Sequence, residues 1–132
     1  MKPNNSTKLR SPLSVAVGHG SAKHGFSHWW WQRLSAIALI PLTLWFLYSL
    51  TCLVGADYQT VINWLSSPIN AGIMLMFTLT ALYHGQTGLQ VVIEDYVGAK
   101  WLNLSLLILI KLGAAAMAVL ATIAVLKVVL GG

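Results

Sequence analysis

The sequence predicts an all-α fold, an integral membrane bundle of three transmembrane helices. Hydrophobic residues make up 57% of the 132-residue chain and charged residues only 8%, and the mean hydropathy is +0.72. A soluble domain carries about 25% charged residues. The apolar residues also gather in three runs, each near the roughly 20 residues that a helical span needs.

Residues 1–28 read as a basic tail carrying Lys2, Lys8, Arg10 and Lys23. The first apolar run begins beyond residue 30 and has no small-residue cleavage site after it, so it is expected to be retained rather than removed as a signal. Residues 29–132 are the expected membrane domain. Its first span, about 34–54, has only mild interruptions such as Pro41, Thr43, Ser49 and Thr51. Trp29-Trp30-Trp31-Gln32-Arg33 precedes it as an interfacial aromatic belt with a snorkelling arginine. The second span, about 67–93, opens with Ser67 as N-cap and Pro68 at the first helical position, and it contains His84. The third, about 102–130, carries Lys111 and Lys127 and is long enough to tilt. Lys111 has a stem that can snorkel toward the nearer surface. Gly113, Ala114, Ala115, Ala116, Ala118, Ala121 and Ala124 give this span a close-packing surface.

Cytoplasmic segments of membrane proteins carry an excess of Lys and Arg. The tail is rich in them, the loop from Gly55 to Ser66 has none, and the second loop has Lys100. The expected topology is N-terminus inside, first loop outside, Asp95 and Tyr96 inside, C-terminus outside. That asymmetry explains the net charge of +5 better than nucleic-acid binding, and no nucleic-acid partner is expected. Cys52 is the lone cysteine, which excludes an intrachain disulfide, an iron–sulfur cluster held by this chain and covalently attached haem.

His84 is the residue that most demands a function. An ionisable group inside an apolar span is costly and marks function by default, and imidazole is a good ligand for haem iron. Ala81, Gly85 and Gly88 around it would keep one side of a broad macrocycle clear, yet small residues at such spacing also serve helix contacts. On the helix alone three readings stand: a haem ligand, a packed histidine bonded to a carbonyl, or a proton relay. Asp95 follows His84 by 11 residues, close to three turns and about 16 Å along the same face if the helix persists. Asp95 and Tyr96 read either as a polar pair for a small redox molecule or as a helix end with an interfacial aromatic.

The run His84-Gly-Gln-Thr-Gly-Leu-Gln-Val-Val-Ile-Glu-Asp95-Tyr96 resembles the second helix of the succinate dehydrogenase cytochrome b membrane anchors, in the smaller hydrophobic subunit, whose signature is His, ten residues, then Asp-Tyr. Gly20-Ser-Ala-Lys23 and His28-Trp-Trp-Trp-Gln-Arg33-Leu-Ser-Ala-Ile-Ala are similar to the tail and first helix of alphaproteobacterial members. The resemblance implies a non-flavin membrane subunit of a four-chain respiratory complex in a bacterial inner membrane. A flavoprotein subunit with FAD would oxidise succinate, and an iron–sulfur subunit would pass electrons to ubiquinone as the membrane substrate. A second cytochrome b anchor subunit would share haem b. The resemblance makes His84 an axial ligand of the haem iron, places Arg33 near the haem propionates, gives Tyr96 a hydrogen bond to a quinone carbonyl, and puts Asp95 beside it.

Two other classes compete with that reading: a small multispan transporter or channel subunit using His84 as a proton relay, and a homodimeric b-type cytochrome with two copies of His84 on one haem. No acidic residue lies within the predicted spans, which weighs against the relay. His19, His24 and His28 have no nearby carboxylate to support a metal site, and packing on a partner subunit is the expectation for them.

Overall fold

A computed structural model of the protein describes residues 23–131. It is all helix: α1 (Lys23–Leu53), α2 (Tyr58–Ser66), α3 (Pro68–Tyr96) and α4 (Lys100–Val129), with no strand among the described residues. Most of the expected tail lies outside the described residues, including Lys2, Lys8, Arg10 and His19, and the side chains of His24 and His28 do as well. Residues 23–30 start α1 and carry a ring cluster, with Phe26 stacked 6.4 Å from Trp30 and tilted 6.1 Å from Trp29.

α1 from Trp29 onward and α4 are each long and apolar enough to cross a membrane. α3 reaches that standard only together with α2, across an 89° bend. The physical reason is the polar content of its second half, where His84, Gln86, Thr87 and Gln90 dilute the apolar run. The molecule is therefore an all-α membrane bundle. Its exterior is apolar, with Ile40, Leu44, Leu109 and Leu120 exposed, and only Ala71 and Val125 are buried among the described hydrophobic residues. Such a surface suits lipid and partner helices, because a bilayer does not reward burying it within one chain.

The linker expected over Gly55–Ser66 instead contains α2. Gly55 ends α1 with a φ of +77°, a left-handed conformation that glycine adopts without the steric cost of a Cβ, and Ala56 N–H then donates to the Leu53 carbonyl at 3.0 Å. Asp57 caps α2 by accepting from Thr60 N–H at 3.0 Å, and the Trp64 ring stacks on Trp45 of α1 at 5.8 Å. Asn70 Nδ2 donates to the Trp64 carbonyl at 2.9 Å, satisfying an acceptor at the end of α2. Ser67 is the N-cap residue of α3 as expected, but its side chain makes no capping bond; Pro68 occupies the first turn.

Hydrogen bonds from the Thr60 hydroxyl and backbone N–H hold the Asp57 carboxyl below the usual carboxylate range. A lowered pKa in the folded state means that the cap stabilises α2 above the ordinary carboxylate value and is lost as pH falls through the lowered one. Amide exchange at Thr60, corrected for its intrinsic rate, is expected to quicken on acidification in the wild type. In Asp57→Ala it is expected to be fast already at neutral pH. Equal pH profiles in the two proteins would show that the cap does not hold this turn.

α3 and α4 make the most extensive backbone packing, and α2 touches both. Ala81 and Gly85 of α3 face Gly113 and Ala114 of α4 across an apolar groove of about 420 Å³. Asn103 Nδ2 ties the helix ends together by donating to the carbonyls of Ile93 at 3.1 Å and Val97 at 3.2 Å. α1 joins α3 through side chains: Phe46 stacks on Phe77 at 4.7 Å, and a polar cluster forms around His84.

Candidate functional site

His84 sits on α3 with its ring half-buried against α1. Its Nδ1 lies 3.0 Å from Ser35 Oγ, and Ser35 Oγ–H donates to the Gln32 carbonyl one turn back at 2.9 Å. The Gln32 side chain reaches across to α3. Its Nε2 donates to the His84 carbonyl at 3.4 Å, and its Oε1 accepts from the Thr87 hydroxyl. Thr87 Oγ also lies 2.8 Å from the Tyr83 carbonyl and 3.0 Å from that of His84. Gln32 and Ser35 thus hold His84 by ring and by backbone. Nε2 of the imidazole has no hydrogen-bond partner among the described residues.

Burial makes this cluster a committed structure. Ser35 is 8% exposed and Thr87 3%, so a missing bond would leave a polar group unsatisfied away from water, at a cost of about 1–3 kcal/mol. Gly88 faces this cluster, and a Cβ there would make only an ordinary contact, 3.6 Å, with Gln32 Nε2. Of the two roles expected for the small residues, the contacts seen are those between helices. Ala81 and Gly85 line the α3–α4 groove, and only Gly88 faces the residues that hold His84.

The other predicted residues lie apart from this cluster. Arg33 is exposed on α1, next in sequence to Gln32. α3 persists through Tyr96, so the spacing from His84 to Asp95 is helical throughout. Asp95 and Tyr96 are exposed on its last turn, Tyr96 at 83%. The turn closes with Val97 N–H donating to the Ile93 carbonyl at 3.0 Å. Neighbouring Glu94 accepts from Gln90 Nε2 at 2.8 Å, leaving the carboxylate of Asp95 and the phenol of Tyr96 presented outward.

Sequence reasoning gave no role to Gln32, Ser35 or Thr87. A signal was present: Gln32 and Ser35 are three apart in an apolar helix, Thr87 is three after His84, and polar side chains in spans find each other across helices. The pairing itself depends on the antiparallel register of α1 and α3, which spacing within one helix does not reveal.

Comparison with known proteins extends beyond the cluster. Residues 7–130 match the family model described as succinate dehydrogenase/fumarate reductase transmembrane subunit. The chain is 40% identical over 104 residues to a succinate dehydrogenase hydrophobic membrane anchor subunit of Rickettsia bellii, covering 79% of this chain and 83% of that one. It is 32% identical over 105 residues to the corresponding Rickettsia conorii protein, with coverage of 79% and 83%. To that of Paracoccus denitrificans it is 30% identical over 86 residues, covering 65% and 67%. No solved structure matches.

Proposed function

Because the chain belongs to the succinate dehydrogenase/fumarate reductase transmembrane subunit family, it is a membrane anchor subunit of such a complex, and we propose that it contributes one axial ligand to haem b and a hydrogen-bond donor to ubiquinone. The observation that carries the haem reading is the half-buried imidazole of His84, held at Nδ1 by Ser35, with no partner for Nε2 among the described residues. Ligating histidines are characteristically held through the other ring nitrogen. Ser35 also lines an open cleft of about 320 Å³ between α1 and α3, walled by Trp31, Leu34, Leu79 and Tyr83, an apolar and aromatic surface compatible with a flat prosthetic group. Haem b would supply a one-electron centre within the membrane.

His84 is the one histidine within a predicted span, so the second axial ligand belongs to another chain, which we assign to a second cytochrome b anchor subunit. The guanidinium of Arg33 suits the haem propionates, because Arg–carboxylate bonds are charge-assisted and often bidentate. Tyr96 lies about 18 Å along the helix from His84. Its phenol can donate a hydrogen bond to a quinone carbonyl as negative charge develops there. Asp95 beside it would orient the tyrosine or relay protons from the cytoplasm. FAD and iron–sulfur clusters, with succinate oxidation itself, are assigned to a flavoprotein and an iron–sulfur subunit.

The lysine and arginine asymmetry supports an inner-membrane orientation with the N-terminus cytoplasmic and the C-terminus periplasmic. Reporter fusions are expected to place residue 60 outside and residue 98 inside. The reverse pattern would separate Tyr96 from a cytoplasmic iron–sulfur partner and remove the quinone assignment. Purification through a tag on this chain, with a redox spectrum and identification of the accompanying chains, tests the whole proposal. The expected outcome is a low-spin b-type spectrum together with a flavoprotein, an iron–sulfur protein and a second anchor. A haem-free preparation or a lone homodimer would overturn it.

A further inference from the structure

We infer that Ser35 is a positioning residue that fixes His84 in the tautomer protonated at Nδ1, so that Nε2 keeps its lone pair. The consequences for haem rest on the reading of His84 as a ligand; the tautomer does not. Ser35 Oγ lies 2.9 Å from the Gln32 carbonyl oxygen. Both atoms carry lone pairs, so the serine proton must lie between them, and a hydroxyl has only one proton. Nδ1 is 3.0 Å from the same Oγ, and with the serine proton already committed, Nδ1 must be the donor. A proton on Nε2 instead would face no acceptor among the described residues.

Gln32 makes the arrangement stiff. Its backbone carbonyl takes the serine proton, and its side chain bonds the His84 carbonyl and the Thr87 hydroxyl. One turn of α1 therefore fixes the ring, the peptide and the next turn of α3 together. A bond from Nδ1–H to an oxygen also raises the basicity of the other nitrogen, which favours the oxidised state of a metal bound there. Ser35 would accordingly hold the haem midpoint potential lower than an unbonded imidazole would.

The test has two readouts, both on the full complex. The first uses haem-deficient preparations labelled with nitrogen-15 histidine, in which the difference between wild type and His84→Gln isolates the two nitrogens of this imidazole. The expected spectrum shows a protonated Nδ1 and an unprotonated Nε2, with a mixture or reversal in Ser35→Ala and the wild-type pattern in Ser35→Thr. A proton on Nε2 in the wild type, or no change in Ser35→Ala, would overturn the inference.

The second readout is a redox titration of the loaded complex. Ser35→Ala is expected to keep haem while its midpoint shifts positive, and Ser35→Thr to restore it. An unchanged midpoint would overturn the tuning role. If Ser35→Ala does not assemble, Ser35→Cys keeps the volume, weakens the acceptor and is expected to shift the midpoint in the same direction. Loss of the ligand reading would show separately, as a haem spectrum that survives in His84→Ala.

Discussion

Tyr96→Phe is expected to reduce succinate-dependent quinone reduction on the order of 100-fold, the effect of losing a donor worth about 3 kcal/mol to developing charge. The substitution keeps the ring and removes only the hydroxyl. Tyr96 is 83% exposed on the last turn of α3, so deleting its oxygen leaves no cavity in this chain and helix packing is expected to persist. Electron transfer from succinate to a soluble artificial acceptor is expected to stay near wild type, because that route can end before the membrane site. Haem content is also expected to persist, with His84 about 18 Å away along the helix axis. Quinone reduction near the wild-type rate in a normally assembled variant would reduce Tyr96 to an interfacial aromatic.

His84→Ala is expected to abolish or severely disturb the low-spin haem spectrum, since it removes one of two axial ligands. The fold is expected to survive the change. Gln32 bonds the backbone carbonyl of residue 84 and the Thr87 hydroxyl, neither of which belongs to the imidazole, and Phe46 still stacks on Phe77. Assembly can therefore be scored by co-purification of the other subunits, independently of haem. An unchanged spectrum would identify His84 as a packed histidine satisfied by Ser35 alone.

The apolar runs made the membrane class and the approximate extents of α1, α3 and α4 legible, because hydropathy is a local property of the sequence. α2 was not legible in that way. It has only nine residues, and its stability comes from a cap at Asp57, the stacking of Trp64 on Trp45 and contact with α3 and α4. The Asp57–Thr60 spacing and the set Val61, Ile62 and Leu65 were the available signals. The first helix also begins before the expected span, at Lys23, since aromatic residues at an interface continue a helix as readily as they border one.

The candidate site was legible in part for a similar reason. His84 stood out because a titratable group in an apolar helix is conspicuous in one dimension. Asp95 and Tyr96 followed from spacing along that helix. The clamp of Gln32, Ser35 and Thr87 arises between helices whose residues lie about fifty apart in sequence, so its pairing required the fold. Ala81, Gly85 and Gly88 show the same limit. Their size was evident, but which neighbour each admits was decided by where α1 and α4 lie.

The most direct test of the central claim is near-infrared magnetic circular dichroism of the oxidised complex carrying His84→Met. Methionine offers a thioether in place of the imidazole, and His–Met ligation is spectroscopically distinct from bis-histidine ligation and raises the haem potential. The account predicts that the bis-histidine charge-transfer band of the wild type is replaced by a His–Met band, with the second ligand unchanged on the partner chain. Persistence of the bis-histidine band in His84→Met would contradict it, because the iron would then take both imidazoles from elsewhere.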